Sequence, residues 1–368
     1  MKNSKEQISS YILTFTIACF IQCSTLLVGF VSDITSQDTW FCVIIAFIVS
    51  LPIIWIFTTL AEKFPGKNII EINNIVLGNV FGKIFSLFYI FLFLQLTAVN
   101  TRLASTFVVG SIMPETPQLA IIIMFVFVCG YAARKGLETM TRYSVIFVII
   151  VMIMLIFNSS LLIREMHFSN FLPFLTYPVK NYIQSTHIIT ILPFSDIFVF
   201  FMLFSNIKNP QKLKKSVFWG LIIGAITLLF ITTRDIAVLG PMIDIFANPS
   251  FEAVRLINIS NFLTRMEIFY AIIWLFLLFF KISILFYVTT KAIAQIFNLS
   301  SYKQLVPIVG VIISCYALFI FKSSMESSYD VANISPFFQT FIQIILPLIT
   351  LIVASSRGFK KPKEEIAQ

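Results

Sequence analysis

Apolar residues run along this chain in ten long stretches, near 10–31, 40–61, 80–108, 118–133, 142–163, 185–206, 215–237, 266–290, 304–321 and 336–356. A bilayer core is crossed by about 20 apolar residues in a helix. Hydrocarbon satisfies no backbone polar group, so each stretch must bond its own amides. The pattern predicts an all-α membrane protein of ten transmembrane helices. The two longest connections on the outer side, 164–184 and 235–265, contain Pro173, Pro178, Pro241 and Pro249 among apolar residues such as Phe168, Phe171 and Phe174. Such segments predict short interfacial helices over an outer mouth, and they are candidate lids.

Charge orients the helices. Eighteen of the 26 basic residues fall on the side that holds the N-terminus. Arg164, Lys180, Arg234, Arg255, Arg265 and Lys322 fall on the other side, and Arg102 and Lys281 lie within spans. Basic residues mark cytoplasmic loops, so both termini are expected in the cytoplasm. The first stretch is too long for the core of a signal peptide and reads as a retained span. One polytopic domain over 1–368 is expected, ending in a short basic tail, 357–368.

Composition agrees with this reading. Hydrophobic residues make up 58% of the chain and charged residues 12%, against roughly half and one quarter in soluble domains. The formal charge of +9 sits in short loops beside apolar spans, where cytoplasmic retention explains it better than nucleic acid. Cys19, Cys23, Cys42, Cys129 and Cys315 lie in apolar segments without paired spacing, which suggests neither disulfides nor a zinc site. His167 and His187 have no second ligand at useful spacing. No phosphate loop, metalloprotease motif or nucleophile elbow appears, so neither enzyme chemistry nor a cofactor is expected.

Two spans break their own rules. Gln22-Cys23-Ser24-Thr25 interrupts the first at mid-depth, and Pro193-Phe194-Ser195-Asp196 interrupts the sixth. Proline removes a backbone donor and small hydroxyls compete for carbonyls, so each helix can open there. Taken singly, such residues also serve close packing or an ordinary kink. Spans one and six hold equivalent places in two halves of five, about 10–163 and 185–356, and an odd number per half makes the halves inverted. Broken helices at matching places point to a midplane site.

Lys281 interrupts a run of apolar residues in the eighth span, where an ammonium costs on the order of 3 kcal/mol. It must face protein. Asp196, the deepest acid, is the expected partner, with a neutral lysine as the alternative state and a purely structural pair as the plain reading. Arg102 in the third span is expected to meet Glu267 or Glu115 near the outer side. Glu138 and Arg142 are spaced for an i, i+4 pair.

Ten spans with interruptions in the first and sixth resemble the amino acid, polyamine and organocation transporter superfamily, of LeuT type. Within it the chain is similar to the B subunits of endospore germinant receptors. The likeness is carried by Asn100-Thr101-Arg102, Gly136-Leu137-Glu138 with Arg142, Asn170-Phe171-Leu172-Pro173, Arg265-Met266-Glu267 and Trp274. It implies a pocket for a small germinant, an amino acid or nucleoside, at spans one, three, six and eight. Carried over by position, that pocket would involve Cys23, Ser24, Thr25, Leu96, Phe194, Ser195 and Lys281. Cys23-Ser24-Thr25 stands where relatives are often glycine-rich, and Lys281 where some carry a hydroxyl residue, so ligand identity does not transfer. Lys281 would bind a ligand carboxylate or replace a coupling cation. The resemblance further implies receptor A and C subunits as partners in the spore inner membrane. A proton- or cation-coupled amino acid permease using Lys281 and Asp196 is the rival reading, and a scaffold without ligand a third.

Overall fold

The computed structural model describes residues 7–257 and 265–359, and helix makes up nearly all of their regular structure. The tail from 360 onward and the N-terminal Lys2 and Lys5, both used above to orient the chain, lie outside the described residues. The first stretch is not one helix. α1 (Ser10–Gln22) starts where the Ser9 hydroxyl accepts from the Ile12 amide, and it gives way at Cys23–Leu26 to a tighter turn before α2 (Leu27–Thr35) resumes. α3 (Thr39–Lys63) then returns through the apolar layer.

An unexpected short helix, α4 (Ile69–Leu77), follows, started by a reciprocal cap between Asn68 and Glu71. At about 1.5 Å per residue it is too short to span. Gly78, at φ 84° in the left-handed region that favours glycine, turns the chain from α4 into α5 (Asn79–Ser111). α6 (Gln118–Lys135), α7 (Leu137–Arg142) and α8 (Ser144–Leu161) complete the first half.

The second half opens with α9 (Val179–Ile189), which widens to a π turn at Thr190–Phe194 and tightens to 3-10 geometry at Ser195–Met202. α10 (Leu213–Leu239), α11 (Pro249–Arg255), α12 (Met266–Ile296), α13 (Val306–Phe319), α14 (Ser324–Asn333), α15 (Ser335–Thr340) and α16 (Leu346–Ser356) follow. Among the described residues eight helices are long and apolar enough to cross a membrane, or nine if α13 and α14, bent by 99°, count as one. The expected ten is not reached by this measure. The first stretch accounts for the difference: its break leaves an apolar piece, Ser10–Thr25, shorter than a bilayer requires.

α1 lies in the centre because α10 offers it a smooth groove. A Cβ on Gly220 would meet Ile17 at 2.8 Å, and one on Gly224 would meet Ile21 at 2.7 Å. Small residues one turn apart let two helices approach backbone to backbone, which is how helices associate where lipid removes the hydrophobic driving force. On the other side α5 and α12 are joined by the Thr97 and Thr289 hydroxyls at 3.2 Å. Below, Ile8 pairs with Ile207 as an isolated bridge, tying the start of α1 to the end of the sixth stretch.

The connection 164–184 is pinned down. Asp38 accepts from the Tyr182 hydroxyl at 2.5 Å and from the Leu175 amide at 3.0 Å, and Gln37 donates to the Pro173 carbonyl at 2.7 Å. Trp40 stacks on Phe174 at 5.8 Å. The second connection is shorter than the sequence suggests, because α10 continues through Arg234 and Asp235 to Leu239.

Candidate ligand-binding site

The two interruptions meet at one side chain. Lys281, buried in the middle of α12, donates to Ser24 Oγ at 2.9 Å and to Asp196 Oδ2 at 3.3 Å. Its Nζ also lies 4.7 Å from the centroid of Phe20. Ser24 belongs to the broken first helix and Asp196 to the 3-10 segment of the sixth, so one ammonium joins both breaks to α12. Buried charge survives when it is paired and hydrogen-bonded. Asp196 is held from the far side as well, by Gln343 Nε2 at 3.1 Å, and Gln343 also donates to Gln339 Oε1 at 3.2 Å.

The local backbone explains why these groups are available. Pro193 has no N–H, so the turn before it cannot close a regular helical bond, and the Ser195 amide reaches back to Thr190 instead. Ser195 Oγ is buried there without a hydrogen-bond partner. Gln343 sits in another π segment, Phe341–Ile345, of the last apolar stretch. Sequence reasoning missed Gln339 and Gln343. Their four-residue spacing in an apolar run is the signal that would have found them.

The remaining sequence-derived residues divide. Cys23, Leu96 and Phe194 are buried, and the Phe194 ring lies edge-on to Phe47 of α3 at 6.5 Å. Thr25, next to Ser24, lines a different space, a small cavity shared with Gln22, Arg234 and Trp274. Arg102 pairs with neither Glu267 nor Glu115, which corrects the sequence expectation. Its Nη1 and Nη2 donate to the carbonyls of Leu318 and Phe321 at 3.2 and 2.9 Å. The end of α13 leaves carbonyls without intrahelical donors and carries a partial negative charge, so a guanidinium is satisfied there without a carboxylate. Glu267 lies 3.8 Å from Arg265 instead.

A second buried ion pair lies near the end of α10. Arg234, counted above with the basic residues of the other side, and Asp235 lie within α10 with side chains 2% and 0% exposed, Nη2 to Oδ1 2.6 Å. The other oxygen of Asp235 accepts from the Ser250 hydroxyl of α11. Adjacent opposite charges look like a membrane interface in sequence. As a neutral pair they let the helix continue.

A family profile described as spore germination protein matches residues 7–327. This chain belongs to that family. Spore germination protein KB of Bacillus subtilis (strain 168) is 23% identical over 371 residues, covering 98% of each chain. Among solved structures, Mhp1, a nucleobase-cation-symport-1 family transporter in a closed conformation with bromovinylhydantoin bound, superposes with a TM-score of 0.68 at 11% identity, covering 97% of this chain and 95% of that one. MhsT in complex with L-phenylalanine gives 0.62 at 12% identity, covering 95% and 89%. At such identities the likeness concerns the fold, which is of the LeuT type with interrupted first and sixth helices. The family is one of germination proteins, carried on a multi-pass membrane fold.

Proposed function

We propose that this germination-family chain is the nutrient-sensing membrane subunit of an endospore germinant receptor, and that it binds a small germinant such as an amino acid at the junction of its two broken helices. The observation that carries this reading is the Lys281 junction with Ser24 and Asp196. Cys23, Ser24, Leu96, Phe194, Ser195 and Lys281 form the proposed site, while Thr25, also expected there, turns to the separate cavity. A ligand carboxylate would take the place of Asp196 beside Lys281, the unpartnered Ser195 hydroxyl and amides freed at the breaks would hold its polar end, and Leu96 and Phe194 would shape an apolar wall. The repeats run about 10–163 and 185–356, with both termini cytoplasmic and the chain in the spore inner membrane beside A and C subunits.

Binding would bias one arrangement of the two halves over the other, which requires different ligand affinities in the two. Spores carrying or lacking this chain, screened against single nutrients for germination, test the reading: a nutrient response that depends on the chain and disappears with Ser195→Leu supports it. Concentrative uptake of labelled amino acids by proteoliposomes holding this chain alone would replace it with a coupled permease.

A further inference from the structure

Beside the first helix, one to two turns along α12 from Lys281, lies a cavity of about 40 Å³ between α1, α8, α10 and α12. Gln22, Thr25, Asn158, Arg234, Tyr270 and Trp274 line it. Gln22, Asn158 and Trp274 are at most 4% exposed, yet Gln22 Oε1, Asn158 Oδ1 and Trp274 Nε1, together with the Tyr270 hydroxyl, have no hydrogen-bond partner. Leaving a buried polar atom unpaired costs about 1–3 kcal/mol, so four around one small space is a strong demand for an occupant. The orientation of Gln22 is fixed: its Nε2 donates to Thr227 Oγ1 at 3.0 Å, whose own hydroxyl donates to the Ile223 carbonyl at 2.8 Å. Its oxygen is therefore the atom left over. Trp274 is held edge-on against Phe107 at 4.7 Å.

The inventory selects the ligand. Two amide oxygens ask for N–H or O–H donors, the indole N–H asks for an acceptor, and the Tyr270 hydroxyl serves either. Arg234 gives Nε and Nη2 to Asp235, so the charged pair beside the cavity adds no net charge. A bare cation would face the indole N–H and a guanidinium. An anion would face two amide oxygens and no free cation. The space suits about three water-sized groups, since each needs roughly 10–15 Å³.

We infer that this cavity is a second binding site, for the head group of a compact, net-neutral molecule that carries a donor beside an acceptor, such as a primary amide or a small α-amino acid. Its occupant bridges the broken α1 to α8 and α12, and so weights the position of the first helix. The inference stands on its own inventory and does not need the midplane site.

The test uses the full chain in lipid nanodiscs, with indole nitrogens labelled for NMR and the Trp274 signal assigned through Trp274→Phe. Acetamide, glycine and L-alanine are titrated at millimolar concentrations. A saturable shift of the Trp274 indole resonance with at least one of them is expected. It should persist in Ser195→Leu, which obstructs the midplane site, and weaken by about fivefold in Asn158→Leu, the loss of one hydrogen bond; Asn158→Ala serves if the leucine variant folds poorly. No shift with any of the three would reduce the cavity to buried water. A shift that vanishes in Ser195→Leu would assign the effect to the midplane and also overturn the second site, while leaving the proposed receptor role intact.

Discussion

Among the described residues Lys281 and Arg234 carry two buried ion pairs, and their environments predict different costs from those of surface pairs. Lys281→Met leaves Asp196 buried with the Gln343 amide still donating to it. A loss of about 3–5 kcal/mol is expected for breaking such a pair. Adding Asp196→Asn should recover most of that stability without recovering a ligand response, read as thermal unfolding in detergent beside spore germination. Arg234→Met should cost a similar amount, since Asp235 would keep Ser250 but lose its cation. By contrast Arg142→Ala breaks a pair whose side chains are 71% and 55% exposed, and a change within about 0.5 kcal/mol is expected. Equal costs for Arg234→Met and Arg142→Ala would refute the burial argument.

Among the helices, the contact of α1 with α10 tolerates the least change. Gly224→Leu would drive a side chain into Ile21, and Gly220 is equally closed by Ile17. Gly224→Leu should therefore abolish monodisperse protein on size exclusion, whereas Gly110→Ala, with nothing within 4 Å of the new Cβ, should behave as the parent. The sixth element offers the opposite test. Pro193→Ala restores an N–H inside the π segment, which favours a continuous helix by up to about 3 kcal/mol. A raised unfolding temperature together with a weaker nutrient response is expected if the interruption is used for binding, and an unchanged dose response would separate the break from recognition.

At the scale of the whole molecule, the basic loops set an orientation that can be measured. In a cysteine-free background, Asn209→Cys should resist a membrane-impermeant maleimide added from outside, and Ser169→Cys should react. The reverse pattern would invert the proposed topology. The pinned outer segments make a further point about size of motion. Asp38, Gln37 and Trp40 hold the 173–182 segment by hydrogen bonds and stacking, so moving this segment away from the start of α3 must break these contacts together.

The sequence by itself determined that the chain is a helical membrane protein with interruptions at Cys23–Thr25 and Pro193–Asp196, and it singled out Lys281 as a charge that must face protein. Those readings follow from constraints local to a segment: hydrocarbon demands apolar length and internally bonded backbone, and it penalises a stranded charge. Tertiary structure decided the partners. Arg102 is satisfied by the exposed carbonyls at the end of α13, which no pattern of charged residues announces. Arg234 and Asp235 neutralise each other inside α10, so a sequence resembling an interface became part of the core. Ser24 faces Lys281 while Thr25, its neighbour, faces a separate cavity, because the turn at Cys23–Leu26 rotates adjacent side chains to different sides. Which groups meet depends on how distant helices return to one another, and that information is carried by close packing such as Gly220 and Gly224 against α1 rather than by hydropathy.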